Sequence, residues 1–189
     1  MKNLKEEKFE NSKYIKPKRF TYEKDDIKHT WDFIESKDSV SVLLYHNEFD
    51  SYVLVKQFRI PLWFYQEKNK MKLNEIGFSI ELCSGLVDKN LSLEQIAIEE
   101  CIEELGYEPK TINKIQDFYN GFGSGCSKQT LFFATINESD KISKGGGIDG
   151  EEIESVYVKV GDFENFIKDK FHSPLLSFAH LWFLKEQNQ

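Results

Sequence analysis

The chain has 189 residues, of which 40% are apolar and 30% charged, a composition typical of a folded domain rather than of a disordered segment. Its formal net charge of −7 argues against general binding to nucleic acid, because that binding needs basic side chains opposite phosphates. No apolar run reaches the roughly 18 residues that a membrane-spanning helix requires.

The cysteines and the first residues bear on the cellular compartment. Cys83, Cys101 and Cys126 form no CxxC pair, and an odd count of this kind is typical of reduced thiols rather than of a disulfide framework. The start of the sequence is polar and mixed in charge, unlike a signal peptide. We therefore expect a cytoplasmic protein.

The first half of the chain contains strand patterns separated by turns. Residues 19–35 alternate apolar and polar side chains around a Lys-Asp-Asp turn, which predicts a hairpin or two short strands. Residues 39–46 and 51–59 have near-continuous apolar runs, which favour strands buried on both faces. Residues 60–73 are predicted to form a loop with exposed aromatic side chains, and residues 76–82 another strand.

A helix is predicted at residues 92–105. Ser92 is a suitable N-cap with Gln95 at capping-box spacing, and Gly106 lies where a glycine commonly ends a helix. The remaining predictions are strands at 113–119, 130–136 and 153–160, a glycine-rich loop at 145–152 and a largely helical end at 162–185. Because strands and helices are mixed without strict alternation, we expect an α/β (α+β mixed) fold with a mixed sheet packed between helices.

Glutamates are concentrated near the end of this helix, with no Lys or Arg among residues 99–106. At about 100° per residue, Glu100 and Glu104 fall on the apolar side, Glu103 at its border and Glu99 on the polar arc. Such a run is usually a solvated face. Buried carboxylates without a cation are costly, however, so they must be neutralised or bind metal. Oxygen ligands suit Mg²⁺ or Mn²⁺ better than Zn²⁺.

The segment GLVDKNLSLEQIAIEECIEELGY, residues 85–107, resembles the Nudix box, a long motif of glycines and glutamates at fixed spacing. The positions that match are Gly85, Glu100, Glu103, Glu104 and Gly106. Cys101 and Tyr107 stand at two positions where the box has aliphatic residues.

Two positions depart from the box. Leu91 stands in place of its first glutamate, with Glu94 one turn later as a substitute. Glu99 stands in place of the arginine that, in the family, helps to orient the glutamates. This departure bears on catalytic rate rather than on the fold, and Lys56 or Arg59 is expected to supply the missing cation.

The resemblance extends beyond the box. The segments TWDFIESKDSVSVLLY, VLVKQFR, ELCSGLVD, GSGCSKQTLFFA and GGGIDGEEIE occur in order and resemble the ADP-ribose/UDP-sugar pyrophosphatase branch of the Nudix hydrolases, most of all its UDP-glucose pyrophosphatase group. The resemblance implies a Nudix α/β/α sandwich preceded by an N-terminal antiparallel strand pair. It also implies a division into residues 1–36, strands that dimerise, and residues 37–189, the Nudix hydrolase domain.

The activity implied by the resemblance is Mg²⁺-dependent hydrolysis of the pyrophosphate bond of a nucleoside diphosphate sugar, with Mn²⁺ as an alternative metal. UDP-glucose, giving UMP and glucose 1-phosphate, is the substrate expected first, and ADP-ribose the second. The other class of function is a Nudix-fold module that binds nucleotides without turnover, because Glu99 and Leu91 depart from the box. Expected partners are a small nucleotide sugar and a second copy of the chain, without nucleic acid or a membrane.

Metal binding is implied for four residues. By the resemblance, the carboxylates of Glu100, Glu103 and Glu104 bind the metal, and the carbonyl of Ser84 adds a ligand. Glu103 and Glu104 then also count among the catalytic residues.

A general base is expected in the loop GGGIDGEE. The resemblance places it at Glu151, with Asp149 and Glu152 near enough to compete. The three glycines at 145–147 are expected to make this loop mobile, as suits a lid that closes on substrate.

Substrate contacts are implied at three further residues. Arg59 is expected to bind phosphate or sugar, since its planar fork suits oxyanions, although a surface ion pair is an equal alternative. Trp31 is expected to stack on the nucleobase, with core packing as its alternative. Glu81 is the third residue expected at the substrate.

Overall fold

The computed structural model describes residues 4–8, 10–12, 14–148 and 150–187. In this part of the chain, nine strands form a mixed sheet. The strands are β1 (Ile15–Lys24), β2 (Ile27–Ser36), β3 (Ser39–His46), β4 (Ser51–Phe58), β5 (Phe78–Glu81), β6 (Cys83–Leu86), β7 (Asn113–Asn120), β8 (Gly125–Ile136) and β9 (Ile153–Lys159). The α-helices are α1 (Ile60–Lys68), α2 (Leu93–Glu100), α3 (Phe163–Ile167) and α4 (Pro174–Gln187).

The centre of the sheet is β3, which pairs in parallel with β8 and antiparallel with β4 and β6. β4 continues the sheet through β5 and β9, and β8 through β7. β3 and β4 bury most of their side chains, as their apolar runs predicted. Among the described residues, no helix is long and apolar enough to cross a membrane.

Helices cover both faces of this sheet. On one face Val42 of β3 and Val55 of β4 belong to the same buried cluster as Ile96 of α2. On the other face Leu43 of β3 joins a second buried cluster with Leu176 of α4. The predicted mixed sheet between helices is confirmed, and the layer that carries α2 also carries the glutamates.

The first two strands form a hairpin at the edge of the sheet. β1 and β2 pair along their whole lengths, and the turn residues Asp25 and Asp26 have φ angles of 54° and 59°. Positive φ at both central residues is the pattern of a type I′ turn, whose twist matches that of the flanking strands. The hairpin joins β8 through two residue pairs only. The predicted N-terminal strand pair is thus confirmed.

The predicted loop at residues 60–73 is wrong for most of its length, because residues 60–68 form α1. Pro61 lies in the first turn, where the missing N–H has no helical partner to lose and the fixed φ suits a helix. The buried side chain of Gln66 accepts a hydrogen bond from the N–H of Gly77 and so anchors the helix to the start of β5. β6 is a further strand that was not predicted, and β8 begins at Gly125, earlier than expected.

The predicted helix at residues 92–105 consists of α2 and a π-helical turn, Cys101–Leu105. The capping box is confirmed, because the Ser92 and Gln95 side chains each accept a hydrogen bond from the other's backbone N–H. Gly106 ends the π turn with a φ of 82°, as a C-terminal glycine should. A π turn within a helix is rare and often accompanies a functional site.

Candidate active site

Glu104, in the π turn, has a buried side chain with only 5% of its surface exposed. Its Oε2 accepts a hydrogen bond of 3.0 Å from the backbone N–H of Ser84 in β6. Burial raises the pKa of Glu104 to about 8; hydrogen bonds from the Cys83 thiol and from Ser84 oppose the shift, whereas the charges of Glu100 and Glu151 add to it. The prediction that Glu104 faces inward is confirmed.

Glu100, at the end of α2, lies half-buried against Gly85 of β6. A Cβ atom at Gly85 would overlap the Glu100 carboxyl group, so a larger residue here would displace that side chain. Burial raises the pKa of Glu100 to about 7, and the charges of Glu103 and Glu151 contribute. Among the ion pairs of the described residues, none joins a Lys or Arg to Glu100 or Glu104.

Glu103 differs from these two because it has a cationic partner. Lys89, in the loop between β6 and α2, places its Nζ 3.4 Å from Oε1 of Glu103 and 2.7 Å from Oε2 of Glu99. The expectation that Lys56 or Arg59 supplies this cation is wrong, because other carboxylates hold both of those side chains. The loop before the helix provides the charge that the helix itself lacks.

The glycines at 145–147 bind the C-terminal end of the π turn. The N–H groups of Gly146 and Gly147 donate to the carbonyls of Glu104 and Glu103 at 2.8 and 3.0 Å. All three glycines have positive φ, and a Cβ atom at Gly145 would overlap the Glu104 carbonyl. In this structure the glycines allow the loop backbone to approach the backbone of the π turn closely, whereas we had expected them to make the loop mobile.

Glu151, the predicted base, follows this glycine segment. Its side chain lies beside Gly147, and its charge raises the pKa of both Glu100 and Glu104. Electrostatically, Glu151 therefore belongs to the glutamate site. The alternative base Asp149 lies outside the described residues.

Arg59 and Glu81 form a two-pronged ion pair beside the glutamates. Nε of Arg59 lies 2.9 Å from Oε1 of Glu81, and Nη2 lies 2.7 Å from Oε2. Burial alone would raise the pKa of Glu81, but Arg59 and neighbouring donors hold it below its usual value. The charges of Glu104 and Glu151 also act on Arg59. Two predicted substrate residues are thus brought together at the edge of the site.

Trp31 lies in β2, on the hairpin, and half of its surface is exposed. Its indole N–H donates to the carbonyl of Gly123 at 3.0 Å, which links the hairpin to the turn between β7 and β8. This exposed position differs from the core packing that was the alternative expectation. No hydrogen bond or ring contact of the described residues joins Trp31 to the glutamates.

The chemistry of the glutamate site fits a divalent cation. Glu100 and Glu104 offer oxygen ligands, and burial, together with the charges of neighbouring glutamates, raises the pKa of both groups. In the described part of the chain, no three acidic, His or Cys side chains are arranged around a common metal position. One oxygen of Glu103 contacts Lys89 and one oxygen of Glu104 contacts Ser84, so an arriving metal ion would bind the remaining oxygens or replace these contacts.

Comparison with known proteins decides the family, although no protein-family model matches the sequence. The chain is 30% identical to uridine diphosphate glucose pyrophosphatase NUDT14 of Mus musculus, over 93% of this chain and 90% of that protein. It is 31% identical to the protein of the same name from Bos taurus, over 84% and 82%. It is 33% identical to GDP-mannose pyrophosphatase of Citrobacter koseri, over 69% of this chain and 64% of that protein. This chain belongs to the Nudix hydrolase family.

The departures of this Nudix hydrolase from the box have different structural settings. Leu91 is exposed in the loop, and Glu94 lies in the first turn of α2, where a carboxylate interacts favourably with the helix dipole. This stabilising position accounts for a glutamate at residue 94 without any role in metal binding. Glu99, which stands where the box has arginine, forms an ion pair with Lys89, so a cation is still present beside this position.

Sequence reasoning missed Lys89, and a signal for it was present. Lys89 is the only Lys or Arg within residues 85–107, so it is the one cation inside the Nudix box of this chain. Its contacts depend on the path of the loop, which the motif does not describe. Cys83 was also missed as a donor to Glu104, because its position in a strand resembles ordinary core packing.

Proposed function

We propose that this Nudix hydrolase cleaves the pyrophosphate bond of a nucleoside diphosphate sugar with Mg²⁺, and that UDP-glucose, giving UMP and glucose 1-phosphate, is its substrate. The observation that carries the proposal is a pair of inward-facing carboxylates, Glu104 buried and Glu100 half-buried, with no ion pair to either among the described residues. Nearly full-length similarity to a protein named for UDP-glucose pyrophosphatase supports the choice of substrate.

In this proposal Glu100, Glu103, Glu104 and the carbonyl of Ser84 hold Mg²⁺, with Mn²⁺ as a substitute. The bound ion lowers the pKa of water and neutralises charge on phosphate oxygens. The backbone N–H of Ser84 keeps the Glu104 carboxyl group in place before the ion arrives. The carboxylates of this site attract a divalent ion, and the ion in turn attracts the negatively charged pyrophosphate.

Glu151 acts as the general base of this proposal. A water oxygen attacks one phosphorus atom, the bond from that phosphorus to the bridging oxygen breaks, and Glu151 accepts the proton that the water loses. Support comes from the charge of Glu151, which acts on Glu100 and Glu104. Glu103 and Glu104 contribute to catalysis through the metal.

Arg59, Glu81 and Trp31 form the substrate side of the proposal. Glu81 occupies Nε and Nη2 of Arg59, so Nη1 remains to donate to a phosphate oxygen. Glu81 fixes the direction of the guanidinium group. Trp31 is half exposed on the hairpin and is proposed to stack on the nucleobase at the interface between the two copies of the chain described below.

The test measures phosphate release in a coupled phosphatase assay with Mg²⁺ across UDP-glucose, ADP-ribose and GDP-mannose. We expect turnover of UDP-glucose, and a loss of roughly 100-fold in Glu104→Gln, the scale on which disturbing a metal's surroundings acts. Glu108→Gln is the matched control, because it makes the same chemical change at an exposed position just after the helix. Equal turnover in Glu104→Gln and wild type would overturn the metal assignment.

Two alternatives have distinct outcomes in the same experiment. An ADP-ribose pyrophosphatase would release AMP and ribose 5-phosphate and leave UDP-glucose intact. A binding module, for which the departures at Glu99 and Leu91 are the motive, would bind a nucleotide sugar in calorimetry and return it unchanged after long incubation.

We also propose that the chain forms a homodimer in the cytoplasm, with residues 1–36 as the dimerising part. Residues opposite each other in an antiparallel pair share a face. The middle of one face of the hairpin is therefore aromatic, where ring stacking joins Phe20 to Phe33 and Tyr22 to His29, and lysines of β1 flank it. Phe20 and Ile27 on this face are largely exposed, which favours a second copy of the chain as the covering surface.

A further inference from the structure

Lys89 is the charged centre of a three-residue arrangement at the edge of the glutamate site. Its Nζ lies 2.7 Å from Oε2 of Glu99 and 3.4 Å from Oε1 of Glu103. The charge of Lys89 also lowers the pKa of Glu100, against the effects of burial and of Glu103. The charge of Lys89 thus acts on Glu99, Glu100 and Glu103, which lie within about one turn of the helix.

Without this cation the three carboxylates would repel one another. Glu99 and Glu103 are four positions apart, a spacing at which like charges destabilise a helix. Repulsion would turn the Glu103 side chain away from Glu99 and Glu100, because its position in the π turn leaves it partly exposed and able to rotate. The contact with Lys89 offsets this repulsion and holds one oxygen of the Glu103 carboxyl group.

The two contacts of Lys89 are unequal, and the difference matters. The contact with Glu99 is short and the contact with Glu103 is 0.7 Å longer, the difference between 3.4 and 2.7 Å. Glu99 therefore anchors the flexible lysine, while Glu103 is held by a weaker contact that a metal ion can replace.

We propose that Lys89, anchored by Glu99, is a positioning residue that orients Glu103 for metal binding. This inference rests on the proposed function for its importance to catalysis, but the effect on metal binding can be measured separately. On this proposal Glu99 holds Lys89 in place within the site, so its presence at the arginine position of the box does not imply a loss of activity.

The test uses Mn²⁺ as the probe and measures its binding to the full-length protein by electron paramagnetic resonance, without substrate. Lys89→Met removes the charge and keeps a side chain of similar length. Loss of orientation predicts Mn²⁺ binding at least threefold weaker. A lysine that is only a nearby charge predicts the opposite, because removing a positive charge strengthens the attraction of a cation. Tighter or unchanged binding would therefore overturn the proposal.

Rescue distinguishes position from net charge. Lys89→Met combined with Glu99→Arg places a cation on the helix four residues before Glu103, and we expect it to restore Mn²⁺ affinity to within twofold of wild type. Lys89→Met combined with Glu94→Lys restores a positive charge at an exposed position of the first turn and should not restore affinity. Equal rescue by both, or by neither, contradicts the proposal.

Two further results keep this inference separate from the proposed function. Wild-type protein that binds Mn²⁺ but hydrolyses none of the nucleotide sugars would overturn the proposed function, and the Lys89 variants would still decide the positioning role. Wild-type protein that binds no Mn²⁺ would overturn the positioning role. Circular dichroism of each variant ensures that a change in affinity is compared between folded proteins.

Discussion

Single residues set the chemistry of this site, and Glu104 shows how. Its carboxyl group is buried without a cation, so its pKa rises to about 8 and the group holds a proton at neutral pH in the metal-free protein. Glu100 follows with a pKa of about 7. Protons and divalent metal ions therefore compete for the same oxygen atoms.

This competition predicts how stability depends on pH. Each group has a higher pKa in the folded protein than its usual 4.5, so the folded state binds more protons than the unfolded state between about pH 4.5 and about pH 8. The free energy of unfolding should be highest below this window and fall as the pH rises through it, by at most about 1.4 kcal/mol per pH unit for each proton. Urea denaturation with a chelator at pH 5, 7 and 8.5 measures the slope. Glu104→Gln should flatten it, and an unchanged slope in that variant would contradict the assignment.

Gly85 gives a second prediction at this scale. A Cβ atom there would displace the Glu100 carboxyl group, so we expect Gly85→Ala to lose at least roughly tenfold in activity, within the range found when residues that support a metal ligand are altered. Gly123→Ala is the control, because a Cβ atom at Gly123 meets no atom within 4 Å among the described residues. Kinetics with varied Mg²⁺ measure the effect; equal behaviour of the two variants would count against the packing argument.

The inward direction of Glu100 and Glu104 could be predicted from the sequence, because helical periodicity alone places them with the apolar residues. The partners of these carboxylates could not. Ser84 and Cys83 reach Glu104 only because β6 lies beside the π turn, and Lys89 reaches Glu99 only because of the path of its loop. Such contacts depend on tertiary structure, which a local pattern does not contain.

Among the elements, the π turn and the glycine segment 145–147 form one unit. The segment's N–H groups occupy carbonyls at the end of the π turn that would otherwise lack partners. Glu151 follows directly, so the contact fixes the proposed base relative to the proposed metal ligands. An element that looked like a mobile loop in the sequence is here bonded to the helical turn that carries the proposed metal ligands.

Replacing Gly145 tests this unit. Gly145→Ala would strain a φ of 65° and place a Cβ atom against the Glu104 carbonyl, so we expect a lower kcat from the displaced loop together with a lower melting temperature. Gly150→Ala is the matched control, because Gly150 also has positive φ but its Cβ atom would meet no atom within 4 Å in the described part of the chain beyond its neighbours in sequence. The two variants share the backbone strain, and only Gly145→Ala should reduce kcat. Equal losses would show that strain alone is responsible.

Elements with local signals were predictable, and elements stabilised by distant contacts were not. The capping box and Gly106 mark the ends of the helix in the sequence itself. α1 was missed because its aromatic residues follow no helical period, and because Gln66 anchors it through a bond to Gly77. The early start of β8 likewise comes from pairing with β2 at Gly125 and Cys126 and with β7 from Ser127 onward, contacts that its glycine-rich sequence does not indicate.

At the scale of the whole molecule, the hairpin of β1 and β2 extends from the edge of the sheet. Its two faces differ, since one is aromatic and the other carries the ion pair between Arg19 and Asp32. In a single chain the aromatic side chains of this face are largely exposed to solvent. The proposed dimer covers it with the same face of a second chain.

Light scattering tests the dimer. We expect wild type to have twice the mass of the 22.2 kDa chain, and Phe20→Asp with Ile27→Asp to have the mass of one chain, because both changes place charge on the aromatic face. Thr21→Asp is the control in the same hairpin, on the opposite face. A wild-type mass of one chain, or dissociation by the control alone, would refute the proposed interface.

The outer edge of β1 has a consequence for aggregation. Among the described residues β1 pairs with β2 alone, and an edge strand of ten residues is a template on which another chain can add a strand. Pro17 removes one N–H from this edge, and Lys16, Lys18 and Lys24 repel a second edge of the same sequence. The chain can therefore expose a long strand while remaining protected from fibril-like growth, and the proposed dimer uses the hairpin's face instead of its edge.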